Sequence, residues 1–136
     1  MIEEHFPLKV ETHTIIGICM EIHRILGKGL FEIVYKDALE YEFKTKAIVF
    51  EREKEYSIQY KDIILPHKFF ADFIVFGSII LEVKAQKNLI EDHYNQMINY
   101  LAISNCKVGL LVNFGESSLK FKRVIFKNIL ICESVA

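Results

Sequence analysis

The sequence has little of the residues that mark specialised protein classes. Its 136 residues include no Trp, only two Pro and only six Gly. That scarcity excludes collagen-like chains and Pro- or Gly-rich low-complexity segments. Hydrophobic residues make up 51% of the chain and aromatic residues 12%, which excludes an intrinsically disordered chain. This length and composition suit one compact core, so we expect a single domain over residues 1–136.

Cysteines are also few. Cys19, Cys106 and Cys132 are the three present, and no C-x-x-C pair occurs, so the sequence indicates neither a disulfide framework nor a zinc ribbon. The N-terminus is acidic and lacks the apolar core of a secretory signal. Apolar runs such as 73–81 are far too short to span a bilayer. We therefore expect a cytoplasmic protein that is not associated with a membrane.

Neither sign of charge is in excess. Seventeen Lys and Arg residues stand against eighteen Asp and Glu, a formal net charge of −1, which excludes a generally polybasic surface. A local basic patch is still compatible with this sum. The residues Lys120, Lys122, Arg123 and Lys127 form such a cluster, either as part of a binding groove or, more simply, as a solvated edge.

Hydrophobic periodicity predicts an α/β domain. Residues 12–26 and 30–46 have helical spacing and are separated by a Gly-Lys-Gly break. A third helix is predicted at 88–104. Strands are predicted at 49–60, 63–65, 68–76, 79–85, 108–113 and 120–126. The passage from strand to helix to strand late in the chain implies a crossover on one sheet, with helices covering that sheet.

Three charged residues interrupt the apolar runs of the strands predicted at 68–76 and 79–85. Asp72 lies in the apolar strand 68–76, where a carboxylate is costly unless a cation or hydrogen-bond donors meet it. Alternation along the next strand places Glu82 and Lys84 on one face and apolar residues on the other. If the two strands pair as a hairpin, Asp72 comes close to Glu82. Two carboxylates and an ammonium group then converge at one place.

Such a cluster has a chemical use. Carboxylate oxygens suit Mg²⁺ or Mn²⁺, and Mg²⁺ typically takes one or two carboxylates together with water and phosphate oxygens. A neighbouring lysine is suited to orient or help deprotonate the water that attacks a phosphodiester. The alternative is a solvated Glu82–Lys84 pair of negligible energetic worth. The position of Asp72 in an apolar strand favours the functional interpretation.

Polar residues of the helices are further candidates, each with a structural alternative. Gln96 and Tyr100 are four residues apart in the predicted helix 88–104 and share one face, where they are suited to bind a phosphate or a water. Equally, Tyr100 suits the edge of the core and Gln96 suits solvent. Glu32 opens the second helix, where a carboxylate either favours the helix dipole or reaches a metal from beside the sheet.

Together these residues resemble the PD-(D/E)xK nuclease superfamily and, more narrowly, the family named for its GxxExxY motif. That motif is present at residues 29–35 as GLFEIVY. Asp72 matches the acidic position of the superfamily, and residues 82–84 match its ExK element. Residues 96–100, QMINY, match the QxxxY element of the RecB-like branch. One departure is Ala71, which stands where the superfamily often has Pro.

The resemblance implies an α/β fold, the restriction-endonuclease-like α/β/α core with a mixed central sheet flanked by helices. It implies metal-dependent hydrolysis of phosphodiester bonds, in DNA rather than RNA, with Mg²⁺ or Mn²⁺ as cofactor. The implied catalytic residues are Asp72, Glu82 and Lys84. The implied metal ligands are Glu32, Asp72 and Glu82. Gln96 and Tyr100 are expected to contact the substrate.

Two other functions are compatible with the residues. The chain is alternatively a catalytically inactive nuclease-fold module that binds nucleic acid or a protein partner, or it is a structural subunit. Exposed aromatic side chains among Phe114, Phe121 and Phe126 would favour a homodimer. The near-zero net charge argues against tight non-specific binding to nucleic acid.

Overall fold

The computed structural model describes residues 7–126, which form three helices and seven strands. Cys132 and Lys127, which the sequence analysis named, lie outside these residues. Each predicted helix is present, with small shifts at its ends. The helices are α1 (Lys9–Leu26), α2 (Glu32–Thr45) and α3 (Glu91–Ser104). The strands are β1 (Phe50–Tyr56), β2 (Gln59–Tyr60), β3 (Ile63–Ile64), β4 (Phe69–Val75), β5 (Ile79–Lys84), β6 (Val108–Asn113) and β7 (Lys120–Ile125).

Five of the strands form one mixed sheet in the order β1-β4-β5-β6-β7. β5 and β6 are parallel and are joined through α3, whereas the other neighbours are antiparallel. Parallel neighbours require a crossover connection, and α3 supplies it. The predicted α/β class, a mixed central sheet flanked by helices, is confirmed.

The prediction of one continuous strand over 49–60 is wrong. β1 pairs with β4 up to the partners Tyr56 and Phe69, so the chain must reverse direction within 57–68. In that segment β2 and β3 form a separate two-stranded hairpin beyond the end of the main sheet. Lys61 lies in its turn with a φ of 55°, and the turn predicted there is confirmed.

The two faces of the sheet are covered unequally. α1 and α2 cover one face, where seventeen buried residues form the larger hydrophobic cluster. α3 alone covers the other face, where the cluster has only seven buried residues. Strand β5 contributes to both, since Leu81 and Val83 belong to the larger cluster and Ile80 to the smaller one. The face under α3 therefore has room for polar residues.

The connection between α1 and α2 is fixed by Tyr35. Its ring is fully buried and stacks on Phe114 with ring centroids 4.5 Å apart. Its hydroxyl donates to the Gly27 carbonyl at 2.6 Å and accepts from the Leu30 amide at 3.3 Å. Gly29 adopts a φ of 101° in this loop, a conformation that favours glycine. The spacing of Gly29 and Tyr35 thus has a structural basis, because both residues shape this loop.

The structure bears on the expected aromatic patch, on two of the cysteines and on membrane-spanning helices. Phe114 is fully buried and Phe121 packs against the larger cluster, so the expected exposed aromatic patch is wrong for Phe114. Cys19 and Cys106 are free thiols, and burial raises the pKa of Cys19 to about 12. Within residues 7–126, no helix combines the length and the apolar character that crossing a membrane requires.

Candidate active site

The candidate site lies on the hairpin formed by β4 and β5. The ladder between these strands ends at the partners Phe73 and Leu81. One position further along, side chains replace the backbone pairing. The Asp72 amide donates to Glu82 Oε2 at 2.8 Å, and the Val83 amide donates to Asp72 Oδ2 at 2.8 Å. The expected convergence of Asp72 and Glu82 is therefore confirmed, and each carboxylate is anchored to the other strand.

Strand β4 is distorted at Asp72. A regular strand places residues two apart on the same face, yet Phe73 belongs to the cluster under α1 and α2 and Ala71 to the cluster under α3. Opposite Asp72, Glu53 is the position left out of the β1–β4 ladder, and its φ of 54° is left-handed. Asp72 thus lies where the strand changes face.

A lysine that the sequence did not single out neutralises Asp72. Lys36 of α2 places its Nζ 2.8 Å from Asp72 Oδ1 and 3.5 Å from a carboxylate oxygen of Glu53. The Lys36 and Asp72 side chains are only 14% and 12% exposed. Burial lowers the pKa of Lys36, but the hydrogen bond to Asp72 and the nearby carboxylates outweigh it and leave that pKa raised. The available sequence signal was its position four residues after Glu32, on the same side of α2.

Glu82 is the more shielded acid of the pair, at 4% exposure. Its pKa is raised from 4.5 to about 8, first by burial and then by the negative charge of Asp72. The hydrogen bond from the Asp72 amide and the charges of Lys84 and Lys36 oppose this shift. An acid that resists ionisation beside a second carboxylate is in an environment that a further cation would stabilise.

Lys84 ends β5 on the same face as Glu82 and is half-buried. Its charge lowers the pKa of Glu82, so the ammonium group acts electrostatically on the acid pair. Its neighbour in β6 is Asn113, which is fully buried and bonds to the amide and the carbonyl of Gln86 at 2.9 and 3.0 Å. Asn113 therefore fixes the chain directly after Lys84. Sequence reasoning missed this role, although a polar residue at the end of an apolar strand was a usable signal.

Helix α3 supplies the two polar candidates. Gln96 Nε2 lies 3.5 Å from the Tyr100 hydroxyl. The Tyr100 ring is half-buried and meets Phe69 edge-on, with centroids 6.4 Å apart, whereas Gln96 is exposed. Burial, followed by the charges of Glu82 and Asp72, raises the pKa of Tyr100. The structure therefore brings Tyr100 into the field of the acid pair and leaves Gln96 on the solvent side.

Glu32 begins α2, one helical turn before Lys36. Its charge contributes to the raised pKa of Lys36. Within residues 7–126, however, no three His, Cys, Asp or Glu side chains are grouped closely enough to hold a metal ion. The structure therefore does not bring Glu32 to Asp72 and Glu82 as a third ligand, and Lys36 makes the contact with Asp72.

The donor set of the acid pair fits a hard divalent cation. Asp72 and Glu82 offer only oxygen donors, which suit Mg²⁺ or Mn²⁺ and do not suit softer metals. Mg²⁺ needs only one or two carboxylates when water and phosphate oxygens complete its shell. Burial is the first cause of the raised pKa of Glu82 and the charge of Asp72 the second, and a cation bound to the pair would lower that pKa.

Comparisons with known proteins support the assignment of this chain to an α/β nuclease-like fold. The sequence matches a family model described as the PD-(D/E)XK nuclease superfamily over residues 9–124. No curated protein matches the sequence. The crystal structure of SSO0001 is similar over 98% of this chain and 64% of that chain, with a TM-score of 0.57 and 20% sequence identity. At that identity the likeness shows the fold alone, and the chain spans less than two thirds of that protein's length.

Proposed function

We propose that this chain, which belongs to the PD-(D/E)XK nuclease superfamily, hydrolyses phosphodiester bonds with the help of a divalent metal ion. The observation that carries the proposal is the interlocked pair of buried carboxylates. Asp72 and Glu82 are 9% and 4% exposed, although burying two like charges is costly without a compensating cation. Paired carboxylate oxygens of this kind are the donors that a site for a hard divalent cation needs.

In this proposal the chain's own residues have separate roles. Asp72 and Glu82 would hold Mg²⁺ or Mn²⁺ without Glu32, because among residues 7–126 no third acid is grouped with them closely enough to share an ion. Such an ion supplies positive charge that stabilises a phosphodiester as negative charge builds on its oxygens. The hydrogen bonds that tie each carboxylate to the opposite strand keep the two acids in a fixed orientation, as preorganised catalysis requires.

Lys84 is the proposed residue that acts on the attacking water. As an ammonium group, its Nζ orients the water and neutralises charge on the phosphate. As a neutral amine, the same Nζ accepts a proton from the water. Asn113 supports this role because its bonds to Gln86 fix the end of β5 beside Lys84. On α3, the Tyr100 hydroxyl and the Gln96 amide are the proposed contacts to the substrate.

The proposed substrate is DNA rather than RNA, and the proposed location is the cytoplasm. A formal charge of −1 leaves binding to depend on local groups, because the chain as a whole does not attract phosphate. The homodimer also stays a prediction. Leu30, Phe31 and Ile33 at the start of α2 are exposed to 40%, 82% and 53%, an apolar surface that a second copy would cover.

A second candidate function rests on Lys36. Its ion pair with Asp72, at 2.8 Å, supplies a positive charge from the chain itself. An acid pair neutralised in this way is also compatible with an inactive nuclease-fold module that binds nucleic acid or a protein. The two candidates differ in whether a metal ion still binds and whether the bond is cleaved.

A cleavage assay distinguishes these candidates. The substrates are linear and circular DNA, single- and double-stranded, and RNA, each with Mg²⁺, Mn²⁺ or EDTA. Lys84→Ala is purified in parallel, and Lys44→Ala is the control because Lys44 pairs with Glu40 on the surface of α2. We expect cleavage that needs the metal, persists in Lys44→Ala and falls about 10²- to 10⁴-fold in Lys84→Ala.

Other outcomes assign the protein differently. No cleavage by the wild type under any condition supports the inactive module. Equal cleavage by wild type and Lys84→Ala indicates a contaminating nuclease or a different catalytic group, and it contradicts the role proposed for Lys84. Cleavage of RNA alone contradicts the DNA preference but leaves the reaction class intact.

A further inference from the structure

A cavity of about 590 Å³ opens between the start of α3 and the edge strand β7. Its lining includes Ile90, Glu91, Tyr94, Leu111, Lys122 and Arg123. None of these residues belongs to the acid pair or to the GxxExxY, ExK and QxxxY elements, although Lys122 and Arg123 belong to the basic cluster noted in the sequence. The cavity therefore lies outside the proposed catalytic centre, and its chemistry has to be explained separately.

The sheet register connects this cavity to the acid pair. Glu82 of β5 is the partner of Leu111 in β6, and Leu111 is the partner of Lys122 in β7. Registered partners lie on the same face of a sheet, and neighbouring strands are about 4.8 Å apart, so the backbone of Lys122 is about 10 Å from that of Glu82. Val124, two residues after Lys122, packs in the cluster under α3. The cavity and the carboxylates therefore share one face and one row of the sheet.

The lining combines an aromatic ring with positive charge. Lys122 Nζ lies 5.7 Å from the centroid of the Tyr94 ring, and Tyr94 is 38% exposed. Lys122 and Arg123 outnumber the single acid, Glu91, so the lining carries an excess of one positive charge. Leu111 forms an apolar, buried floor.

This combination matches the chemistry of an unpaired nucleotide. A base stacks on an aromatic side chain, and its phosphate binds a neighbouring lysine, a pairing that recurs in proteins that bind single strands. A base inside a duplex is already stacked and paired, so it cannot offer its face to a ring. A cavity beside the sheet, as opposed to a flat basic surface, favours a nucleotide that has left the duplex.

We propose that this cavity binds an unpaired nucleotide of the substrate strand, with its base against Tyr94 and its phosphate against Lys122. The strand then runs along the sheet row from Lys122 to Glu82 and brings a phosphodiester to the acid pair. Only the path of the strand toward the acid pair rests on the proposed nuclease function. The binding step itself needs neither metal nor cleavage and is measured in EDTA.

The absence of Trp from the sequence gives a direct probe. Tyr94→Trp introduces a single tryptophan at the proposed stacking position. Its fluorescence should be quenched by a short single-stranded oligonucleotide but not by an abasic oligonucleotide of the same length. Tyr41→Trp is the matched control, because Tyr41 is also exposed but is surrounded by Asp37, Glu40 and Lys44.

Affinity measurements separate the ring from the charge. With a fluorescent single-stranded oligonucleotide and anisotropy as the readout, Tyr94→Ala should weaken binding about tenfold or more. Tyr94→Phe keeps the ring and should bind like the wild type. Lys122→Gln should reduce the slope of log affinity against log salt by about 0.7, the value for one phosphate contact on a single strand. Circular dichroism confirms that each variant is folded.

The outcomes separate this proposal from the proposed function. Quenching by the normal but not the abasic oligonucleotide, together with loss of affinity in Tyr94→Ala, supports the nucleotide site even if no condition yields cleavage. Equal quenching by both oligonucleotides, unchanged affinity in Tyr94→Ala, or no single-strand binding by the wild type overturns it. If one of these results overturns the nucleotide site but the protein still cleaves its substrate, the proposed nuclease function holds without this site.

Discussion

The two faces of the central sheet carry different kinds of residue. Under α1 and α2, every strand residue of the larger cluster is apolar and fully buried, including Leu81, Val83 and Leu110. Under α3, the same strands carry Glu82, Lys84 and Asn113. Strands β5 and β6 supply both sets by simple alternation. One face therefore contributes chiefly to stability, and the other has the groups that a reaction needs.

The unequal helical cover accounts for this difference. Two helices seal the first face, so a charge within its apolar cluster would lack water. Lys36 of α2 contacts Asp72 at the point where β4 changes face. The single helix α3 leaves the Lys122 end of the row open as a cavity. At the other end of the row, Glu82 is only 4% exposed. Substitutions on the two faces should therefore affect different properties of the protein.

The largest expected effect is a pH dependence of the unfolding free energy, which the titration of Glu82 should cause in EDTA. Its folded-state pKa, about 8, lies above the ordinary value of 4.5, so the folded protein retains a proton that the unfolded chain loses. The unfolding free energy should therefore fall as pH rises between those values, by up to about 1.4 kcal/mol per pH unit. Glu82→Gln should remove this slope. Urea unfolding at several pH values measures this slope. Parallel plots of unfolding free energy against pH for the wild type and Glu82→Gln would contradict the account.

The next largest effect is expected from replacing either of two adjacent leucines of β6 with alanine. Leu110 is fully buried in the larger cluster, and Leu111 lines the cavity under α3. Leu110→Ala should cost about 2–5 kcal/mol of unfolding free energy, as for other leucines in closed cores. Leu111→Ala should cost about 1 kcal/mol less, since its site adjoins open space. Equal losses in urea unfolding would show that the two faces are packed alike.

The smallest of the three effects tests the buried ion pair against an exposed one on the same helix. Lys36–Asp72 and Lys44–Glu40 are both 2.8 Å apart, but the Lys36 side chain is 14% exposed and that of Lys44 is 66% exposed. Lys36→Met should therefore cost about 1.5–3 kcal/mol, and Lys44→Met about 0.5 kcal/mol or less. Thermal unfolding in EDTA measures both. We expect Mg²⁺ to restore part of the loss in Lys36→Met, and a loss no larger than that of Lys44→Met would contradict a stabilising role for Lys36.

Alternation and periodicity were sufficient to predict much of the fold and part of the site. The order of helices and strands follows from local hydrophobic spacing, and the shared face of Glu82 and Lys84 follows from a period of two. The approach of Asp72 to Glu82 required only that β4 and β5 form a hairpin. Each of these is a local property of a short segment, which is why the sequence alone reveals it.

The remaining features depend on contacts between distant segments. The distortion at Asp72 arises from the unpaired position opposite it, Glu53, on another strand. Lys36 reaches Asp72 only because the tertiary fold places α2 beside the acid pair, and its position four residues after Glu32 was the one local signal. The nucleotide cavity likewise needs the register of three strands to bring Lys122 into line with Glu82.

The central claim is that the Asp72–Glu82 pair is a divalent-metal site, and titration calorimetry with Mn²⁺ tests it most directly. The wild type should bind Mn²⁺, and Asp72→Asn should lose that binding. Asp37→Asn is the control, because Asp37 is 66% exposed and pairs with Arg52 at the surface, and it should bind like the wild type. Absence of Mn²⁺ binding by the wild type, or equal binding by Asp72→Asn, would contradict the account.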